Sequence, residues 1–165
     1  RSDAHTLVAT VLDRRCVDAM TGMPRPHTVE VSIDGRLLKG CAGDASLLLR
    51  GGPWVVEQLG GQPVVERSRI SFVFEASGRL QGSATCNRFV ATYLLTGEGL
   101  TVTMPISTMR GCAPPLMRQE QVFLEALRGV QRFDLREDGA LVLHASDGTT
   151  ITSRRDTRVP LPRGK

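Results

Sequence analysis

Aromatic residues are scarce in this chain, at 4% of 165 residues. Proteins that bind single-stranded nucleic acid stack bases on aromatic rings, and one Trp, one Tyr and five Phe leave little for such a platform once a core is filled. Nucleic acid is therefore not an expected partner. Long apolar runs are missing too, and none approaches the ~18 to 20 residues that a membrane-spanning helix needs. Closely spaced cysteines are absent, which removes both the CxxC couples of a zinc site and the local signature of thioredoxin-like exchange. His5, His27 and His144 show no ligand spacing, so neither metal nor cofactor is expected. A Gly-rich phosphate loop, a His-Glu helix pair and a Gly-x-Ser-x-Gly elbow are all lacking, and no catalytic residue is assigned.

What is present is an ordinary globular composition, 41% hydrophobic and 23% charged, in a length that suits one compact unit or a domain with a small module. The net charge of +4 comes largely from the closing stretch "SRRDTRVPLPRGK". Residues 154–165 read as a basic, solvated tail. The chain starts at Arg1 with no signal segment, the pattern of a mature fragment or a trimmed chain.

Compartment is then read from Cys16, Cys41, Cys86 and Cys112, an even number at wide and nearly equal separations. Four cysteines allow three connectivities. Locality favours 16 with 41 and 86 with 112, each closing a loop of about 26 residues worth on the order of 3 kcal/mol in the chain-entropy model. Structural disulfides in an oxidising compartment are the expectation.

The rest of the chain alternates like a meander of hairpins. "TLVATVLD" at 6–13 reads as a strand, and the following loop carries Gly22 and two prolines, which argue against regular structure. "TVEVSI" sets Val29, Val31 and Ile33 on one face and runs into Asp34-Gly35, a hairpin signal, before "RLLKGC" returns to Cys41. Residues 42–53 end in Gly-Gly-Pro and read as a boundary, with a first module at 1–50. Past it, "RISFVFEASGRLQGSA" places Ile70, Phe72 and Phe74 on one face, and Gly97, Gly99, Asp138-Gly139 and Asp147-Gly148 mark further turns. The expected fold is α+β: an antiparallel sheet or partly closed barrel with one main helix packed on it, preceded by a small β-hairpin module.

That helix lies in "APPLMRQEQVFLEALRGV", entered through prolines and stopped by Gly129. Its apolar stripe is Leu116, Phe123 and Leu127, flanked by Met117 and Leu124, and Glu120 points into the middle of it. A carboxylate there needs donors, because an unpaired one costs several kcal/mol. The stretch "GSATCNRFVATY" offers them: small residues admit close backbone, and Asn87 suits a turn or caps backbone groups with its amide. A bridge from Cys86 to Cys112 would pin the helix entrance to that turn.

"WVVEQLGGQPV", "SGRLQGSATCNRFVATY", "TMPISTMRGCAPPLMRQEQVFLEALRGVQRFDL" and "GALVLHASDG", in this order, resemble the META/HslJ domain over about residues 52–153. Its specific parts are the glycine-to-tyrosine block around Cys86-Asn87, the Met109-x-x-Cys112 step and the helix with Glu120. The family commonly has glycine where this chain has Thr85 and a glycine near Ala91. "CVDAMTG" with the following hairpin and Gly-Cys also resembles the end of a bacterial envelope module, which implies further chain upstream, often with a lipoprotein signal and lipid anchor. The resemblance implies a small periplasmic or outer-membrane protein linked to heat shock and novobiocin tolerance, without catalytic activity.

Three function classes follow. The first is a noncatalytic envelope stress or binding module, with an envelope protein or a small apolar ligand as partner. The second is a lysozyme-inhibitor-like protein, and the third a thiol-redox or other enzyme using Glu120 or a labile thiol. Trp54 and Tyr93 read as structural anchors, and Met104, Met109 and Met117 as core filler around the helix entrance, with an adaptable apolar pocket there as the alternative. Arg110 and Arg118, flanking Cys112, read as solvated side chains, with an anion site near the helix start as the alternative.

Overall fold

The computed structural model describes residues 6–158, and its first element is β1 (Leu7–Leu12), the β-branched run that opens the chain. A loop follows that is less irregular than its Gly and Pro content implies. β2 (Cys16–Val17) pairs with β3 (Pro24–Arg25), a ladder so short that the missing proline N–H leaves no strand unpaired. β4 (His27–Ile33) and β5 (Arg36–Ala42) form the expected hairpin, with Asp34 and Gly35 both at positive φ, 49° and 84°, as a two-residue primed turn requires. β1 adds to the free side of β4, giving the order β1-β4-β5. The face carrying Val29, Val31 and Ile33 gains Leu7, Val11 and Leu38 from its neighbours but none of the described residues packs over it: Leu7 is 64% exposed and Val11 63%.

The junction is part of the core. α1 (Ser46–Leu49) lies inside the segment read as a boundary, and its Leu49 is fully buried together with Met23 and Ala45 of the N-terminal part. Trp54 opens β6 (Trp54–Leu59), is itself buried, and donates its indole N–H to the Leu49 carbonyl at 2.8 Å.

From β6 the chain builds a nearly closed antiparallel barrel. β7 (Gln62–Pro63) folds back on β6, and β8 (Ser71–Phe74) pairs with β9 (Arg79–Ser83) across the Ser77-Gly78 turn. β10 (Arg88–Leu95) continues to β11 (Leu100–Val102), and β12 (Ile106–Ser107) pairs back on the start of β10. α2 (Pro114–Arg128) is followed by β13 (Val130–Leu135), β14 (Leu141–Ala145) and β15 (Thr150–Arg155). The strand order is β11-β10-β9-β8-β6-β15-β14-β13, and the ends approach each other where Gly99 lies against β13. A Cβ on Gly99 would stand 2.6 Å from the Gln131 carbonyl oxygen, so the closure depends on a residue without a side chain.

Alternation fills the barrel. Ile70, Phe72 and Phe74 are buried and meet Phe89, Tyr93 and Phe133. α2 inserts Phe123 between Phe72 and Phe89, with centroids 6.3 Å and 5.6 Å away, and buries Ala126 and Leu127 beside it. Full burial of a Phe or Leu side chain contributes about 1.5 to 3 kcal/mol. Tyr93 stacks edge-on to Phe74 and donates its hydroxyl to the Glu75 carbonyl at 2.7 Å. Leu116, assigned to the helix stripe, is only half-buried because it belongs to the first turn, beyond the barrel rim.

The reading of a tail from residue 154 is corrected. Arg154 and Arg155 are strand residues, and the Arg155 guanidinium stacks 3.9 Å over the Trp54 ring. It donates to the carbonyls of Leu48, Arg50 and Gly52, clamping the α1 junction to the barrel. Burial lowers its pKa to about 10, so the charge persists at neutral pH. The part of the tail beyond 158 lies outside the described residues.

Candidate functional site

The cysteines pair 16 with 41 and 86 with 112, at Cα separations of 5.4 Å and 6.2 Å. Among the described residues none is free. The second bridge stands beside a polar node built by β9, the turn after it and α2.

Gly82 makes that node reachable. A Cβ there would lie 1.9 Å from the Ser71 carbonyl oxygen, so only glycine lets β9 approach β8 this closely. The chain then turns through Thr85 at φ 112°, a left-handed value that a β-branched residue rarely adopts. The glycine that the resemblance implies at this step would take this φ without the steric cost of a Cβ.

The turn aims two backbone amides at one carboxylate. Cys86 N and Asn87 N donate to Glu120 Oε2 at 2.9 Å and 2.8 Å, and Asn87 Nδ2 donates to Oε1 at 2.6 Å. The remaining capacity of the Asn87 amide is used as well: Nδ2 donates to the Arg110 carbonyl, and Oδ1 accepts from Thr108 Oγ1 at 2.8 Å and Arg110 N at 2.7 Å. A buried carboxylate with three donors avoids the desolvation penalty of an unpaired one. Asn87 thus joins the turn, the 108–110 segment and α2.

Gln119 extends the node and was not singled out from sequence. Its Nε2 donates to Ser68 Oγ and Thr85 Oγ1, while Oε1 accepts from Val65 N at 2.5 Å. The available signal was its place next to Glu120 on the inward edge of the helix. His144 and Asp134 were missed too: they lie on neighbouring strands with Nε2 2.7 Å from Oδ2, and Arg132 contacts the same carboxylate at 3.2 Å.

Beside the node, α2 and the 104–105 segment flank an open apolar recess of about 390 Å³. Its walls are Met104, Met117 and Leu124, and its rim carries Arg118, Arg128 and Glu125. The methionines are not the core filler their sequence positions implied: Met104 is 66% exposed, Met109 98%, and Met117 is exposed on the outer side of α2. Met109 does not reach the recess. Arg110 and Arg118 do not form one anion site either, because Arg110 shares a polar recess with Arg88 and Thr108 while Arg118 lines the apolar one. Among the described residues no cluster of His, Cys, Asp or Glu could hold a metal, and no helix is long and apolar enough to cross a membrane.

The META domain model matches residues 47–157, the barrel with α1 and α2. The chain belongs to the META domain family. The match begins at α1, five residues ahead of the boundary drawn at 52, in keeping with the buried Leu49. No curated protein matches the chain. Among solved structures, the META barrel resembles a protein from Burkholderia xenovorans determined by NMR, with 24% identity, 73% of this chain and 96% of that chain covered, and a TM-score of 0.57. A second NMR structure has 27% identity, 65% and 91% coverage and a TM-score of 0.54. A crystal structure of a DUF4847 family protein from Bacteroides vulgatus has 16% identity, 68% and 98% coverage and a TM-score of 0.52, a likeness of fold. The two disulfides point to an oxidising compartment outside the cytoplasm for this META protein.

Proposed function

We propose that this META protein is a noncatalytic binding protein of the bacterial envelope, at the periplasm or the outer membrane, that supports heat-shock and antibiotic tolerance by holding small apolar molecules. The observation that carries the reading is the recess against α2, whose volume lies in the range of ligand sites. Methionine walls repack around ligands of different shape, and the rim arginines, unpaired among the described residues, favour an acidic substituent. The node beneath it serves as a rigid floor: Glu120 spends both oxygens on Cys86 and Asn87, an arrangement that suits an anchor better than a proton carrier.

The test is a fluorescence titration with the apolar dye N-phenylnaphthylamine, followed by displacement with novobiocin. The reading expects saturation at one dye per chain, displacement by the drug, and at least tenfold weaker binding in Met117→Glu. Dye binding that is absent, or equal in the variant, contradicts it.

A further inference from the structure

A second recess, of about 520 Å³, opens where the N-terminal part meets the barrel. Arg25, at the end of β3, and Arg50, just after α1, come from one side, and Ser77, Thr92 and Thr96 from the other. It shares no lining residue with the apolar recess and does not rest on the function proposed for that one.

The guanidinium of Arg50 is the unusual group. Its Nε is buried with no hydrogen-bond partner, whereas Nη1 and Nη2 reach solvent and make no hydrogen bond among the described residues. A buried donor left open is costly and rare in folded proteins. Arg25 is only partly engaged: Nη1 donates to the Gly43 carbonyl at 3.2 Å, and Nη2 lies against Gly97. The acid between them is already committed. Asp44 Oδ1 accepts from Ser46 N at 2.9 Å and Oδ2 from Ser46 Oγ at 2.7 Å. Those bonds, with smaller contributions from Arg50 and Arg25, hold its carboxyl below the usual range. The recess therefore keeps an excess positive charge, and it is the Nη edge of the Arg50 guanidinium, beside the buried Nε, that is left to receive carboxylate or phosphate oxygens.

The remaining lining gives the rest of the ligand. Thr92, whose hydroxyl makes no bond among the described residues, lines the recess with Ala45, Leu94 and Leu95, while the Ser77 and Thr96 hydroxyls are held by their own turns, a mixture that fits a ring with a polar edge and an apolar face. We propose that this recess binds a small hydroxylated oxyanion, a sugar ring bearing one phosphate or carboxylate, with Arg50 and Arg25 on the anionic group. Because the site is assembled from both parts of the chain, ligand also fastens the N-terminal part to the barrel.

Isothermal titration calorimetry on the full chain tests this with glucose 6-phosphate, glucuronate, glucose and inorganic phosphate. At least one sugar anion should saturate at one per chain, bind at least tenfold more tightly than either glucose or inorganic phosphate, and lose at least tenfold in affinity in both Arg50→Gln and Arg25→Gln. Arg36→Gln, exposed on the β4–β5 hairpin and lining neither recess, should leave the affinity unchanged. Thermal unfolding of each variant shows whether it is folded, and Arg25→Gln carries the test if Arg50→Gln is not. No saturable binding of either sugar anion, equal binding by a folded arginine variant, or glucose or inorganic phosphate binding as tightly as the sugar anions overturns the proposal.

Discussion

Glu120 and Asn87 grip each other at two points: the Asn87 side-chain amide donates to Oε1 at 2.6 Å while its backbone N–H donates to Oε2 at 2.8 Å. The contact joins α2 to the turn after β9 across 33 residues of sequence, and it forms the floor of the apolar recess.

Glu120→Ala leaves three donors without an acceptor in a buried site. The expected loss is about 1 to 3 kcal/mol of unfolding free energy, read by urea denaturation. A midpoint equal to that of the parent chain contradicts the role of Glu120 as an anchor.

Thr85 sits at φ 112°, where glycine is free of the steric cost that any Cβ incurs, and its Oγ1 accepts a bond from Gln119. Thr85→Gly and Thr85→Ala both lose that bond, but only glycine relieves the backbone. Thr85→Gly should therefore be more stable than Thr85→Ala by about 1 kcal/mol or more in thermal unfolding. The reverse order would show that the turn is not strained.

The Cys86–Cys112 bridge fixes the entrance of α2. Alkylation of the denatured, unreduced protein should find no free thiol, and the double variant Cys86→Ser, Cys112→Ser should lose about 2 to 4 kcal/mol. Four reactive thiols would contradict both the pairing and the compartment.

Asp156 gives the acid limb of stability a specific source. Oδ2 accepts from Arg69 and Oδ1 from the backbone and side chain of Arg158, and the Arg69 bond is the largest cause of a pKa lowered from 3.8 to about 2. A depressed folded pKa means that the unfolded chain takes up the proton first, so this contribution is intact above about pH 4 and is lost as pH falls towards 2. Asp156→Asn should flatten the fall in melting temperature across that window. A slope unchanged by the substitution would assign acid lability elsewhere.

How far the sequence reached depends on the range of the contact. The β4–β5 hairpin was legible from Asp34-Gly35, and α2 from its prolines, stripe and terminal glycine, because turn chemistry and helical period act within a few residues. Glu120 was legible as a charge on an apolar stripe, which forces a search for donors. Arg155 was not, because a cation in a basic C-terminal stretch looks like a tail until Trp54 is placed beneath it. Leu49 was hidden in the same way: four residues of helix between Gly43 and Gly51-Gly52 carry no periodicity, and only the barrel shows that Leu49 is buried. The exposed methionines and both recesses likewise depend on how α2 and the loops lie on the sheet, which no local pattern encodes.

The most direct test of the binding role is a map of where an apolar ligand sits. In an amide ¹H–¹⁵N titration with N-phenylnaphthylamine, the account predicts saturable shifts concentrated at Met104, Met117, Arg118, Gln121 and Leu124, with the exposed face of β1 and β4 unmoved. Shifts centred instead on Leu7, Val11 and Val31, or scattered without saturation, would contradict it.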